Sequence, residues 1–343
     1  MRAPVFWDLP GHPLGRLLAP LGEIYGSRVA ARMDRAGNKA ACPVICVGNF
    51  TLGGAGKTPT AFALAAMLRK IGLEPAFLTR GYGGRLTGPI AVDPSRHGSA
   101  DVGDEPLLLA RSALTILARD RPAGVELCRA LGAGVVVMDD GLQNPSLAKD
   151  LSLAVVDAVS GIGNGLAFPA GPLRAPLSRQ WRHLHGLVVI GDGGRGEDLS
   201  TEAASRGLPV HRAKLVPTVP AAVAGKPVLA FAGIGRPRKF FDTLTEAGAT
   251  LVETRSFPDH HPYRAADVAG LAAWAQALGA MLVTTEKDMV RLPADFAAGV
   301  TALGVTLRFV DESLLLAQVS RVVETFSPPN DRVRPDASLP LRA

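Results

Sequence analysis

A mostly parallel α/β sheet flanked by helices is the fold class this sequence predicts, and three observations predict it. Short apolar runs alternate with helical patterns along most of the chain, the signature of a parallel sheet covered on both faces. One such run is separated from a helical pattern by the glycine-rich segment Thr51-Leu52-Gly53-Gly54-Ala55-Gly56-Lys57-Thr58. Another, Val135-Val136-Val137-Met138, ends in the paired acids Asp139 and Asp140.

Size and composition set the frame. At 343 residues the chain exceeds the roughly 250 to 300 residues at which a single core stops growing, so a second, smaller lobe is expected. Hydrophobic residues at 47% and charged residues at 20% exclude disorder for most of the chain. The apolar runs fall short of the ~18 to 20 residues that span a bilayer. Asp8, Pro10, His12, Pro13 and Arg16 interrupt any secretory h-region near the start, which predicts a cytoplasmic protein. Cys42, Cys46 and Cys128 lack metal-ligand spacing and are odd in number, as in a reducing compartment. A net charge of +6 suits an anionic partner. Aromatic residues at 5%, not interleaved with basic ones, argue against nucleic acid.

Along the chain, Leu14, Leu17, Leu18, Leu21 and Tyr25 recur at helical spacing, with Arg16, Arg28, Arg32 and Arg35 supplying positive charge. Pro20 predicts two short helical pieces rather than one helix. Such a basic amphipathic segment either lies on an anionic membrane surface or packs on the domain. Strands are expected at Val44 to Phe50, Pro75 to Thr79, Leu114 to Ala118, Val135 to Met138, Leu153 to Val156 and Leu187 to Ile190. Helices are expected at Pro59 to Ile71, Glu105 to Arg111 and Gly124 to Leu131. The second lobe reads as strand Val228 to Ala232, helix Lys239 to Ala247, strand Leu251 to Ser256, helix Ala265 to Leu278, and strands Met281 to Thr285 and Val305 to Val310. Pro217, Pro220 and Pro227 place the boundary between Lys214 and Lys226. The domains expected are an N-terminal helical segment (1–36), a core (37–216), a C-terminal α/β lobe (217–326) and a polar, poorly ordered tail (327–343).

The segment from Thr51 to Thr58 matches the phosphate-binding loop G-x-x-x-x-G-K-[ST], except that Thr51 replaces the first glycine. Glycines let backbone amides approach phosphates, and the following helix adds its positive end. Lys57 would reach the β and γ phosphates of ATP, and Thr58 would bind Mg²⁺. Pro59 suits a first helical turn, where its missing N–H costs nothing. Asp139 or Asp140, at the end of a buried strand, would hold the same metal. Asp104 and Glu105 before Pro106 read as an ordinary helix start, with Asp104 the N-cap. Arg80, after a strand, either contacts phosphate or is solvated. The pair His260 and His261 is weak evidence for metal, although a histidine in such a loop can handle protons. The loop alone specifies nucleotide phosphates and no acceptor. A P-loop switch ATPase or GTPase is therefore the main alternative, although Glu286-Lys287-Asp288 is only distantly like a guanine-reading motif. A non-catalytic membrane adaptor would leave Lys57 and the paired acids without a purpose.

Together these segments resemble the tetraacyldisaccharide 4'-kinase family of the P-loop NTPase superfamily, from the N-terminal helix through about Leu292. The markers are Val47-Gly48-Asn49-Phe50-Thr51, Thr79-Arg80-Gly81-Tyr82-Gly83, Gly103-Asp104-Glu105-Pro106, Asp139-Asp140-Gly141-Leu142-Gln143, Gly163-Asn164-Gly165, Pro169-Ala170-Gly171-Pro172-Leu173-Arg174, Phe231-Ala232-Gly233-Ile234-Gly235, Phe257-Pro258-Asp259-His260 and Thr285-Glu286-Lys287-Asp288. Thr51 at the first loop position is similar to the family's own variant. The resemblance implies transfer of the ATP γ-phosphate to the 4'-hydroxyl of tetraacyldisaccharide 1-phosphate, forming lipid IVA at the cytoplasmic face of the inner membrane, with no obligate protein partner. It also implies that Asp104 and His260 act together on the attacking hydroxyl, and it assigns Arg80, Asn164 and Arg174 to the substrate. Ala175 stands where the family often carries an acid, so no role of that acid transfers. With the family in view, the basic N-terminus favours membrane contact and the two lobes must approach each other.

Overall fold

The computed structural model describes residues 4–218, 223–235 and 237–327. The first half of the chain builds eight strands: β1 (Val44–Gly48), β2 (Pro75–Thr79), β3 (Ile90–Ala91), β4 (Thr115–Leu117), β5 (Val135–Asp139), β6 (Leu151–Asp157), β7 (Gly186–Ile190) and β8 (Val210–Thr218). The second half adds β9 (Pro227–Ala232), β10 (Thr250–Ser256), β11 (Met281–Thr285) and β12 (Val300–Phe309). Among the described residues all twelve join one sheet in the order β10-β9-β11-β12-β8-β7-β6-β1-β5-β2-β4-β3. Neighbours are parallel except β3 with β4 and β12 with β8. The fold is the expected helix-flanked α/β sheet of the P-loop NTPase kind.

The central strands β1 and β5 are short and buried at every position because both faces are covered. Val44 and Cys46 point to one face, with α1 (Pro13–Met33) and α5 (Arg121–Ala130). Ile45 and Val47 point to the other, with α2 (Lys57–Lys70). In the second half, α8 (Pro237–Glu246) covers one face of β9 through Phe240 and Leu244. The helix α9 (Ala265–Leu278) covers the other through Leu271 and Ala275.

The two halves meet through β12. Its residues Val300 to Thr301, Ala302 and Leu303 pair in parallel with β11, and Gly304 through Phe309 pair antiparallel with β8. After β12 the chain returns to the first half. The helix α12 (Glu312–Glu324) buries Leu315 and Val319 in the same cluster as Ile45, Leu64 and Leu68.

Several expectations need correction. Residues Pro13–Met33 form one helix with Pro20 inside it, not two pieces. Pro20 and Arg16, whose carbonyl loses its amide partner, are both exposed, so water can satisfy the break. Of the two alternatives for the leucine stripe, packing on the domain does not hold for Leu14, Leu17 and Leu21, which point outward, Leu17 being 74% exposed. The buried face consists instead of Gly15, Gly22, Gly26, Val29, Ala30 and Met33. The boundary region opens with strand β8, which runs through Thr218 and contains Pro217. Pro217 is tolerated because β7 pairs only with Val210 to Ala213, leaving Pro217 on a one-sided stretch. The strand foreseen at Val305 begins five residues earlier, at Val300. The expected tail lies outside the described residues beyond Ser327.

Truncating Leu315, which is fully buried, tests the return of α12. Leu315→Ala will cost about 2 to 5 kcal/mol in denaturant unfolding. A loss under about 1 kcal/mol would mean that α12 is not docked.

Candidate functional site

The loop between β1 and α2 is shaped by its glycines and held from below. Gly56 sits at φ +90°, and a Cβ there would lie 2.4 Å from Ile190 Cδ1, so only glycine fits at the entry to α2. Asn49, fully buried, donates to the Gly53 carbonyl at 3.1 Å. Lys57 folds back over the loop and donates to the same carbonyl at 3.4 Å. Burial depresses the Lys57 pKa, with Asp140 opposing. The first turn of α2 thus presents free amides and a lysine at one point, an arrangement suited to phosphate oxygens.

The segment Pro172-Leu173-Arg174 splints this loop. Leu52 N–H donates to the Pro172 carbonyl at 2.7 Å, and Arg174 N–H donates to the Phe50 carbonyl at 2.9 Å. The Arg174 guanidinium donates to the Thr51 carbonyl at 3.0 Å, to Gln143 Oε1 at 3.2 Å and to Asp140 Oδ2 at 2.9 Å. Gln143 in turn donates to the Asn49 carbonyl at 2.8 Å and to Gln180 Oε1 at 2.9 Å. Asn164 lies farther out, donating to the carbonyls of Phe6 at 3.3 Å and Ala170 at 2.9 Å. Its side chain therefore ties the N-terminal turn to this loop.

The two acids after β5 differ. Asp139 is 4% exposed, its Oδ1 is buried with no hydrogen-bond partner, and burial pushes its pKa up to about 6. Asp140 adopts φ +53° and lies 2.8 Å from Arg174 and 3.7 Å from Lys57. Burial raises its pKa, but Lys57 and Arg174 outweigh that and hold it below the ordinary carboxylate value. Among the described residues no three His, Cys, Asp or Glu side chains gather into a preformed metal cage. The set fits Mg²⁺, which takes one or two carboxylates and completes its shell with phosphate oxygens and water.

A second group of side chains crosses from the other half of the chain. Gly103, not Asp104, is the N-cap of α4 (Asp104–Ala110), which puts Asp104 and Glu105 in its first turn. That corrects the expected cap: Gly103 supplies the φ of +89° that the entry requires. His260 Nδ1 lies 2.8 Å from Asp104 Oδ2. His260 is held at φ +57°, and it and Asp140 are the positive-φ non-glycine residues among those described. His261 turns away, pairing with Asp267 at 3.0 Å and stacking on Phe257. Lys287, in α10 (Glu286–Met289), pairs with Glu105 at 2.9 Å. Arg291 Nε lies 3.2 Å from Asp104 Oδ2. The charge of Lys287 acts on Glu105, Asp139 and Asp104, and it opposes that of Lys57. The crossing residues and the phosphate-binding loop are therefore near enough for their charges to interact. Arg80 follows β2 and is exposed.

Gln180 and Arg291 have no assigned place in the expectations from sequence. Glu105, read as part of a helix start, and Lys287 stand inside family motifs, but nothing local tells that they pair across 182 positions. Gln180 carries no sequence signal at all.

A family model described as tetraacyldisaccharide-1-P 4'-kinase matches residues 14–324. A tetraacyldisaccharide 4'-kinase from Methylorubrum extorquens (strain PA1) is 63% identical over 321 residues, covering 93% of this chain and 98% of that protein. One from Nitrobacter winogradskyi is 52% identical, covering 92% and 96%. The crystal structure of LpxK from Aquifex aeolicus in complex with ATP matches with a TM-score of 0.72 and 26% identity, over 90% of this chain and 99% of that one.

The contact with Asp104 raises the His260 pKa above its ordinary 6.5, against burial, which lowers it. A raised folded value means that the stabilisation is fully present below the unfolded value and is lost as pH rises through the folded one. The melting-temperature difference between wild type and His260→Gln will therefore be larger near pH 6 than near pH 9. Equal differences at both would mean that the imidazolium does not contribute.

Proposed function

The chain belongs to the tetraacyldisaccharide-1-P 4'-kinase family, and on that footing we propose how its residues divide the work. As a member it is an ATP-dependent kinase of lipid A biosynthesis, moving the γ-phosphoryl group of ATP to the 4'-hydroxyl of tetraacyldisaccharide 1-phosphate. The residues Thr51, Leu52, Gly53, Gly54, Ala55, Gly56, Lys57 and Thr58 hold the nucleotide phosphates, with Lys57 on the β and γ groups. Thr58, Asp139 and Asp140 form the magnesium side. When bound there, Mg²⁺ neutralises charge on the transferring phosphoryl group. Both acids carry a buried Oδ1 with no hydrogen-bond partner, but that of Asp140 lies 2.8 Å from Arg174 and 3.7 Å from Lys57, which leaves Asp139 the better direct ligand.

The observation that carries the mechanism is the Asp104–His260 pair, 2.8 Å apart, beside the Glu105–Lys287 ion pair. Asp104 takes the proton from the 4'-hydroxyl as its oxygen bonds to the γ phosphorus. The bond to the oxygen bridging the β and γ phosphorus atoms breaks, and ADP leaves with that electron pair. His260 orients Asp104 and stabilises its charge. Positioning and charge neutralisation supply most of the acceleration, because such transfer needs little covalent help. Arg80 and Arg174 face the side where anionic groups enter, and Asn164 shapes the floor that carries Arg174. The acceptor site lies between the core, 37–216, and the C-terminal lobe, 217–326.

Membrane contact belongs to the segment 1–36. No described helix is long and apolar enough to cross a membrane. Instead α1 exposes Leu14, Leu17, Leu21, Ile24 and Tyr25 beside its arginines, a pattern that favours peripheral attachment to an anionic leaflet on the cytoplasmic side of the inner membrane.

The decisive assay follows radiolabel from γ-labelled ATP to tetraacyldisaccharide 1-phosphate in detergent micelles. Labelled lipid will require both Lys57 and Mg²⁺, and Asp104→Ala will lower kcat about 10² to 10⁴-fold with the ATP KM little changed. Unchanged turnover in Asp104→Ala removes it from the mechanism, and ATP hydrolysis without labelled lipid returns the chain to the switch ATPases. For the membrane, the double variant Leu17→Glu, Leu21→Glu will sediment less with anionic vesicles while keeping its melting temperature. Equal sedimentation would show that α1 is not the attachment surface.

A further inference from the structure

Arg291 is 9% exposed as a residue and 3% in its side chain, a burial that a guanidinium tolerates only with partners. Its contacts are of two kinds. One set anchors it within the C-terminal half: Nη1 donates to the carbonyls of Gly233 at 3.1 Å and His261 at 3.3 Å, Nε donates to the Lys287 carbonyl at 3.1 Å, and Nη2 lies 3.1 Å from Asp288 Oδ1. Its other contact crosses to the first half, where Nε lies 3.2 Å from Asp104 Oδ2.

Asp288 is itself fixed. It is fully buried, takes the Gly233 N–H at 2.8 Å and the Tyr263 hydroxyl at 2.7 Å on Oδ1, and takes the Thr285 hydroxyl at 2.6 Å on Oδ2. Gly233 N–H and carbonyl therefore touch Asp288 and Arg291 respectively, and the same glycine carbonyl takes the His260 N–H at 3.0 Å. The loop that carries His260 and the arginine that touches Asp104 are thus bolted to one frame.

We propose that Arg291 is a positioning residue for phosphoryl transfer, which holds the Asp104 carboxylate in register with His260 through Oδ2 and leaves Oδ1 to take the acceptor's proton. The inference rests on Asp104 as the base. A carboxylate at the first turn of a seven-residue helix has rotational freedom about its side-chain bonds. Two cationic or hydrogen-bonding partners on one oxygen, both delivered by the opposite half, remove it. The frame behind Arg291 also means that the base is oriented only when the two halves are together, so the acceptor proton has no competent receiver in a separated form. Arg291 acts through Asp104 and need touch neither nucleotide nor lipid.

A double-mutant cycle separates this from a merely structural role. Arg291→Gln and Arg291→Lys are each made in wild type and in Asp104→Asn, and transfer to the lipid is followed at enzyme concentrations raised to suit the slow variants. In wild type, Arg291→Gln will lower kcat about tenfold or more with both KM values within about twofold, and Arg291→Lys will recover part of the loss. In Asp104→Asn the same replacements will change kcat less than about twofold, because the group they orient no longer accepts a proton. The same fold loss in both backgrounds, or no loss in wild type, overturns the proposal while leaving Asp104 as base. Full activity in Asp104→Asn overturns the base itself and this inference with it. Should Arg291→Gln fail to fold, the Arg291→Lys arm reads the same cycle with the buried charge retained.

Discussion

The site depends above all on the Arg174 guanidinium. Asp140 is a half-buried anion in a backbone conformation that side chains rarely adopt, and Lys57 is a largely buried cation. Each would be costly alone. Arg174 lies against Asp140, the Thr51 carbonyl and Gln143 together, so the end of β5 and the loop after β1 are locked in one register. Its own backbone is pinned to Phe50. The loop is therefore shaped as much from a segment more than a hundred residues downstream as by its glycines.

From that locked floor the remaining features follow. The loop carrying Arg174 is also the surface on which α1 sits, since a Cβ at Gly22 would come within 2.6 Å of the Ala167 carbonyl. The glycine face of α1 thus allows backbone to approach backbone, and its leucines are left for another surface. Opposite the floor, the C-terminal half contributes His260, Lys287 and Arg291 against Asp104 and Glu105. Among the described residues the two non-glycines at positive φ, Asp140 and His260, stand one on each side. Strain of this kind persists where surrounding contacts over-determine it and is concentrated at functional sites.

Much of this was legible in the chain, and the reasons are physical. Strands buried on both faces become uninterrupted apolar runs, so β2 and β11 were placed to the residue. The phosphate-binding loop announces itself because its glycines, lysine and threonine are adjacent in sequence. What stayed hidden depends on pairing at long range. β8 mixes polar and apolar side chains, with His211, Arg212 and Lys214, and carries Pro217 where β7 no longer pairs with it. The outward turn of the α1 leucines could not be read from periodicity, which finds a stripe without saying what covers it. Gln180 and Arg291 gain meaning only when segments far apart in sequence are brought within hydrogen-bond distance.

The docking of α12 also bears on how the molecule is made. The face of the sheet that holds α2 is closed by Leu315 and Val319, which follow that helix far downstream in the chain. During synthesis, which proceeds from the N-terminus, the strands around the nucleotide loop emerge long before this cover does. The nascent chain carries an open apolar groove beside α2 until α12 has left the ribosome. Completion of the nucleotide-binding half is thereby tied to synthesis of α12, so a product truncated before that helix would present exposed apolar surface to the cell's quality control rather than a finished phosphate-binding loop.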